Sequence, residues 1–128
     1  MKLGQAGEQA VCEALQKNGW QILFTNYRCM AGEADIVAMD ADSNEQTLVF
    51  IEVKTRTSAR HGRPADSVTP RKQKRLINIA LHYISEHPPG PEEPSIRFDI
   101  VEAFPLPGGS FRLNHLRNAF SPDSVRIT

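Results

Sequence analysis

Glu52 and Lys54 close an apolar run, TLVFIEVKTR at 47–56, with one residue between them. Side chains on a strand alternate between its faces, so this acid and this amine point the same way. Leu48, Phe50, Glu52 and Lys54 share one face, and Val49, Ile51, Val53 and Thr55 share the other. Such a pair can be a salt bridge at a strand end, or it can hold a cation and a water for hydrolysis. A bare Glu-x-Lys is too common to decide between these, so the partners matter. GEADIVAMD at 32–40 reads as the preceding strand, with Glu33, Asp35, Val37 and Met39 on one face. If the two strands are neighbours, Asp35 and Glu52 meet.

A third acid comes from the N-terminal helix. At about 100° per residue from Glu8, Val11 falls at about −60°, Cys12 at about 40° and Leu15 at about −20°. Glu8 is therefore aligned with the apolar stripe, while Glu13 points to water. Inward Glu8, Asp35 and Glu52 would repel one another in a low-dielectric setting. A divalent cation compensates, and hard oxygen ligands suit Mg²⁺ or Mn²⁺. Lys54 would partner the acids and a bound water. Gln73 lines up with Leu76, Ile77, Ala80 and Ile84 and sets an amide on the inward face of a second helix.

The elements that must position these groups are legible in outline. Residues 5–18 have helical spacing, with Gly19 as C-cap. Strands are predicted at 20–29, 32–40 and 47–55, joined closely enough for an antiparallel meander. The third is strongly apolar and is expected at the centre of the sheet. Thr69-Pro70 opens a helix that runs to about His87. SIRFDIVEAF at 95–104 alternates cleanly as a fourth strand, with Asp99 at a tolerated polar position, and SFRLNHL is a short fifth. Residues 117–128 read as a tail. The order is α-β-β-β-α-β with an extra strand: one mixed α/β domain over 1–128, its central sheet flanked by helices.

Charge is polarised although the net charge is zero. Residues 31–52 carry six acids and no Lys or Arg, whereas 53–75 carry eight bases and one acid. The plain reading is two solvated surfaces of opposite sign; the sharper one is a carboxylate site beside a phosphate-binding surface. Arg71, Lys72, Lys74 and Arg75 crowd the start of a helix, against its macrodipole, which favours an arriving anion. No apolar run approaches the roughly 20 residues that span a bilayer. The start, MKLGQAGEQA, lacks a signal peptide's apolar stretch. A cytoplasmic protein with reduced, packing Cys12 and Cys29 is expected.

Several segments in order resemble a known family: GEQA, NYRC, GEADIVA, FIEVKTR, GRPADSVTPRKQKRL and RFDIV. The chain resembles the YraN-like family of uncharacterised bacterial proteins, relatives of archaeal Holliday-junction resolvases within the PD-(D/E)xK nuclease superfamily. The resemblance implies a restriction-endonuclease-like αβββαβ core. It implies Asp35 and Glu52 as metal-binding carboxylates, with the Val53 carbonyl as a further ligand. Lys54 would orient or activate the attacking water, Glu8 would complete the site, and Gln73 would add a polar group from the next helix. Asp35 follows Ala34 where the superfamily motif names a proline. The implied activity is Mg²⁺- or Mn²⁺-dependent hydrolysis of DNA phosphodiesters, with branched or junction substrates in view. Arg56, Arg60, Arg63, Arg71, Lys72, Lys74 and Arg75 would contact the nucleic-acid backbone. A homodimer follows by analogy only. The alternative is a nucleic-acid-binding or protein-interaction module on the same fold that does not cut.

Overall fold

The computed structural model describes residues 2–40, 46–57, 68–88, 90 and 95–121. Arg60 and Arg63, two of the expected backbone contacts, lie outside the described residues. The elements are α1 (Leu3–Lys17), β1 (Gln21–Cys29), β2 (Gly32–Asp40), β3 (Thr47–Thr55), α2 (Pro70–Glu86), β4 (Ser95–Pro105) and β5 (Phe111–Phe120). The five strands form one sheet in sequence order, with β3 in the middle. β3 and β4 run parallel, joined by the crossover through α2; the other neighbours are antiparallel. The α/β architecture expected from the apolar patterning is the one observed. Among the described residues no helix is long and apolar enough to cross a membrane.

The alternation of β3 sorts the core into two layers. Leu48 and Phe50 pack on the α2 side with Val37, Phe98, Ile100, Leu76, Ile79 and Tyr83. Val49 and Ile51 pack on the α1 side with Val11, Leu15, Trp20, Ile36 and Val101. Each helix ends where its chemistry dictates. After α1, Gly19 turns left-handed at φ 87°. Its N–H reaches the Gln16 carbonyl at 3.0 Å, and the Trp20 N–H reaches the Leu15 carbonyl at 3.0 Å. That is a Schellman ending, with Trp20 and Leu15 meeting in the core. α2 begins with Pro70 behind Thr69, whose hydroxyl accepts the Lys72 N–H at 3.3 Å.

One boundary departs from expectation. Residues 117–120, read as the start of a tail, continue β5. Asn118 adopts a left-handed φ of 54°, and the pairing with β4 shifts there. The irregularity lets the strand deliver Phe120 into the core, stacked on Phe98 at 4.7 Å. Residues 122–128 lie outside the described residues.

Candidate active site

The site lies where β2 and β3 part. Their pairing ends at Ile36↔Ile51, while β3 stays paired to β4 as far as Thr55↔Ala103. One step further, Asp35 would face Glu52 across the ladder. The Asp35 carboxylate replaces the missing backbone partner: its Oδ2 accepts the Val53 N–H at 2.8 Å. Glu52 is largely covered, with 15% of its side chain exposed. Its Oε1 pairs with Lys54 Nζ at 2.9 Å. Its Oε2 is buried and has no hydrogen-bond partner. An unpaired buried carboxylate oxygen is expensive, and native structures rarely leave one without a purpose.

α1 brings the third acid. Gly7 lies on the ends of β3 and β4; a Cβ there would sit 2.5 Å from Thr55 Oγ1 and 3.5 Å from the Ala103 Cβ. Only a glycine lets the helix lie this low, and Glu8 follows it. The Glu8 carboxyl lies near Asp35 and near the Asn26 side chain. Burial pushes the Glu8 carboxyl above its ordinary value, and the charges of Asp35 and Glu33 push it further. Burial likewise raises Asp35; the Val53 N–H and Lys54 pull it down, while Glu52 and Glu33 add to the rise. Several acids share one low-dielectric corner with one nearby ammonium. Glu33 itself is exposed and pairs with Arg28 at 3.1 Å.

Among the described residues no group of three or more His, Cys, Asp or Glu side chains closes to metal-holding geometry. The three acids therefore lie near one another without forming a cage. The groups that could hold a hard divalent cation are fewer: Asp35, the unpartnered oxygen of Glu52 and a backbone carbonyl such as that of Val53, with water completing the shell. Mg²⁺ keeps several waters and asks for few protein carboxylates.

The other expected site residues divide. Gln73 is half-buried at the start of α2, where its Nε2 donates to the Val68 carbonyl at 3.0 Å. That bond ties the helix to the segment before it. Arg56 departs from the solvent-facing role expected of it. Its side chain is only 16% exposed and lies 3.4 Å from Glu102, whose other oxygen accepts Asn114 Nδ2 at 2.9 Å. The reason is placement: the Arg56 N–H still bonds the Ala103 carbonyl at 2.9 Å, so the residue extends the sheet edge. Arg71, Lys74 and Arg75 are exposed on α2, and Lys72 is half-buried. Arg75 lies against the start of β2. A Cβ at Gly32, φ 138°, would lie 3.1 Å from the Arg75 Cδ. Gly32 begins the strand that carries Asp35, roughly 10 Å further along.

The sequence reading did not single out Gly7 or Asn26. A glycine beside Glu8 on an otherwise good helix was the available signal for a close approach. Asn26 gave a weaker one, as a residue type that tolerates the left-handed region in the middle of a strand pattern.

Residues 7–103 match the uncharacterised protein family UPF0102. A UPF0102 protein of Symbiobacterium thermophilum is 43% identical over 119 residues, 93% of this chain and 96% of its own. One from Chlorobium phaeobacteroides is 43% identical over 123 residues, covering 92% and 93%. One from Herminiimonas arsenicoxydans is 41% identical over 117 residues, covering 91% and 85%. The matched span holds Glu8, Asp35, Glu52 and Lys54 together with all of α2, and the chain belongs to the uncharacterised, YraN-like protein family UPF0102.

Proposed function

We propose that this protein is a metal-dependent endonuclease that hydrolyses phosphodiester bonds in DNA, branched or junction DNA foremost, in the cytoplasm. The observation that carries the reading is the buried, unpartnered Oε2 of Glu52 beside Asp35. Asp35, Glu52 and the Val53 carbonyl would hold Mg²⁺ or Mn²⁺, which when bound supplies charge neutralisation at the phosphate and acidifies a water. The Val53 N–H fixes one oxygen of Asp35, so the carboxylate is oriented before any ligand arrives. Lys54 lies on the same strand face as Glu52 and is a quarter exposed, so its ammonium can turn toward an attacking water or a phosphate oxygen. Glu8, held above the usual carboxylate range, is suited to take and return a proton near the reacting water. Arg71, Lys74 and Arg75 would contact the nucleic-acid backbone beside the site and fix its register without reading bases.

The test is cleavage of branched, flapped and linear DNA, and of RNA, with Mg²⁺ or Mn²⁺, by the wild type and by Asp35→Ala and Glu52→Ala. Metal-dependent cutting by the wild type alone supports the reading. Nucleic-acid binding by all three with no cutting by any assigns the chain instead to a non-catalytic binding module.

A further inference from the structure

The face of the sheet that carries Glu52 and Lys54 continues onto β4 and β5, strands the site does not use. β3 and β4 run parallel, with Lys54 opposite Glu102 and Thr55 opposite Ala103. β4 and β5 run antiparallel, with Glu102 opposite Asn114 and Phe104 opposite Arg112. Residues level on adjacent strands point to the same face, and the contacts agree. Arg56 lies 3.4 Å from Glu102, Asn114 Nδ2 donates to Glu102 at 2.9 Å, and the Arg112 guanidinium lies over the Phe104 ring, 4.1 Å from its centroid. One surface therefore leads from Lys54 past Glu102 to Arg112. By strand spacing and rise Arg112 is roughly 12 Å from Lys54. That is about three to four nucleotides of rise on one strand of duplex DNA, so a single strand can reach both.

Arg112 is exposed, and among the described residues no acid pairs with it. β5, FRLNHLRNAF, carries no acid of its own. Its other two bases turn elsewhere: His115 reaches Asp99 at 2.8 Å, and Arg117 lies over Trp20 on the α1 side. Glu102, two residues before Phe104 on the shared face, is buried and already has Arg56 and Asn114. Arg112 is nevertheless held in place. Its rung adjoins the last one before the hairpin turn, Pro105↔Phe111, and the Leu106 N–H closes that turn on the Ser110 carbonyl at 2.8 Å. Cation–π attraction seats the guanidinium, and its in-plane N–H groups remain for an acceptor.

We propose that Arg112, seated on Phe104, is a further nucleic-acid contact that takes a backbone phosphate on the β5 side of the site. The choice of occupant rests on the nuclease reading above; the geometry of the seat does not. A fixed fork of donors suits a phosphate. Glu102, lying between, is matched and does not turn one away. Arg75 lies against Gly32, at the end of β2 that shares an end of the sheet with Lys54, because β2 and β3 are antiparallel. Arg75 thus marks the β2 side of Glu52 and Arg112 the β5 side. A strand gripped by both passes over Glu52 and Lys54.

Binding of a fluorescein-labelled DNA duplex, read by anisotropy in EDTA so that cutting does not intervene, tests this. Arg112→Ala should reduce the slope of log K against log salt by about 0.9, with the thermal melt of the wild type. Arg112→Lys should restore the slope, because the charge returns, yet bind more weakly than the wild type, because the fork does not. An unchanged slope in Arg112→Ala overturns the proposal, as does a loss that Arg112→Lys leaves unrepaired. A wild type that binds DNA and shows these slopes but never cuts with Mg²⁺ or Mn²⁺ fails the nuclease reading and still supports the Arg112 contact. A wild type that binds no nucleic acid overturns both.

Discussion

Asp35 and Asp99 are aspartates one strand removed from each other, on β2 and β4 either side of β3, and the protein treats them oppositely. Asp99 is 2% exposed. Arg97 donates to it twice, at 2.8 and 3.0 Å, His115 contacts it at 2.8 Å and the Asn118 N–H donates at 2.9 Å. Burial alone would raise its pKa, but His115, Arg97 and the Asn118 N–H outweigh burial and hold it below the ordinary value. Arg97 also reaches Asp40 at 2.7 Å, and both Arg97 and Arg117 lie over the Trp20 ring. Asp35 accepts one backbone N–H, meets Glu8, feels Glu52, and is raised. The first cluster matches its acids with bases and is structure. The second leaves its acids short of donors.

The sharpest way to break this contrast is a pair of substitutions. Asp99→Ala takes a buried acid from His115, the Asn118 N–H and Arg97, which keeps Asp40, and should cost about 3–5 kcal/mol, which lowers Tm by more than about 10 °C in a chain this size. Asp35→Asn keeps an acceptor for the Val53 N–H and removes a repelled charge. Its Tm should hold or rise, while metal-dependent cleavage falls by about 10³-fold, the scale of losing an essential electrostatic group. Equal destabilisation by both would show that Asp35 is as structural as Asp99.

The two clusters also differ in how far the sequence disclosed them. Asp35, Glu52 and Lys54 were legible because strand alternation converts spacing into direction, and Glu8 because the apolar stripe of α1 passes through it. Asp99 looked like a tolerated polar position because two of its partners, His115 and the Asn118 N–H, come from β5, where the residues from 117 on read as a tail. Pairing across a sheet, and the bulge at Asn118 that aims a backbone N–H at Asp99, are set by tertiary register and leave no local period. Arg56 misled for the converse reason. It belongs to a basic run by composition but to the sheet edge by hydrogen bonding.

Gly7→Ala tests whether the underpaired cluster depends on close approach. The added methyl meets Thr55 Oγ1 at 2.5 Å, so α1 must lift. Overpacking of this kind costs about 1–3 kcal/mol, and the shift carries Glu8 away from Asp35. Thermal melts should show the loss, and Mn²⁺ affinity should fall more than in Ala6→Gly, a helix change next door without the clash. If affinity is unchanged, Glu8 does not need its present position.

Titration separates the clusters by sign. Asp99 is depressed in the folded state, so its contribution is present above the unfolded value near 4 and is lost as pH falls through the lower folded value. Glu8 and Asp35 are raised, so theirs is present below the unfolded values and is lost as pH rises through the folded ones. Metal-free protein should therefore melt higher at mildly acidic pH than at pH 7, and fail only in stronger acid. Mg²⁺ should recover the difference at pH 7, by about 1.4 kcal/mol when present at tenfold its dissociation constant. Glu52→Gln should abolish that recovery. A flat response to Mg²⁺ in the wild type would remove the cation from the comparison.

The smallest effect expected concerns the bases, where the same distinction between paired and unpaired charge recurs. Arg56 is covered and lies 3.4 Å from Glu102, whereas Arg75 is exposed with its stem along Gly32. A base already neutralised by a buried acid has no counterion to release when a phosphate arrives; an exposed one does. Arg75→Ala should therefore reduce the slope of log K against log salt by about 0.9 for duplex DNA, with a uniform loss across sequences because phosphate contacts carry no base information. Arg56→Ala should leave the slope unchanged and lower Tm instead, since the buried Glu102 then loses its guanidinium neighbour. Salt titrations of binding by fluorescence anisotropy distinguish the two directly. If Arg56→Ala flattens the slope as Arg75→Ala does, Arg56 leaves Glu102 when nucleic acid binds, and the structural half of the basic run becomes part of the binding surface.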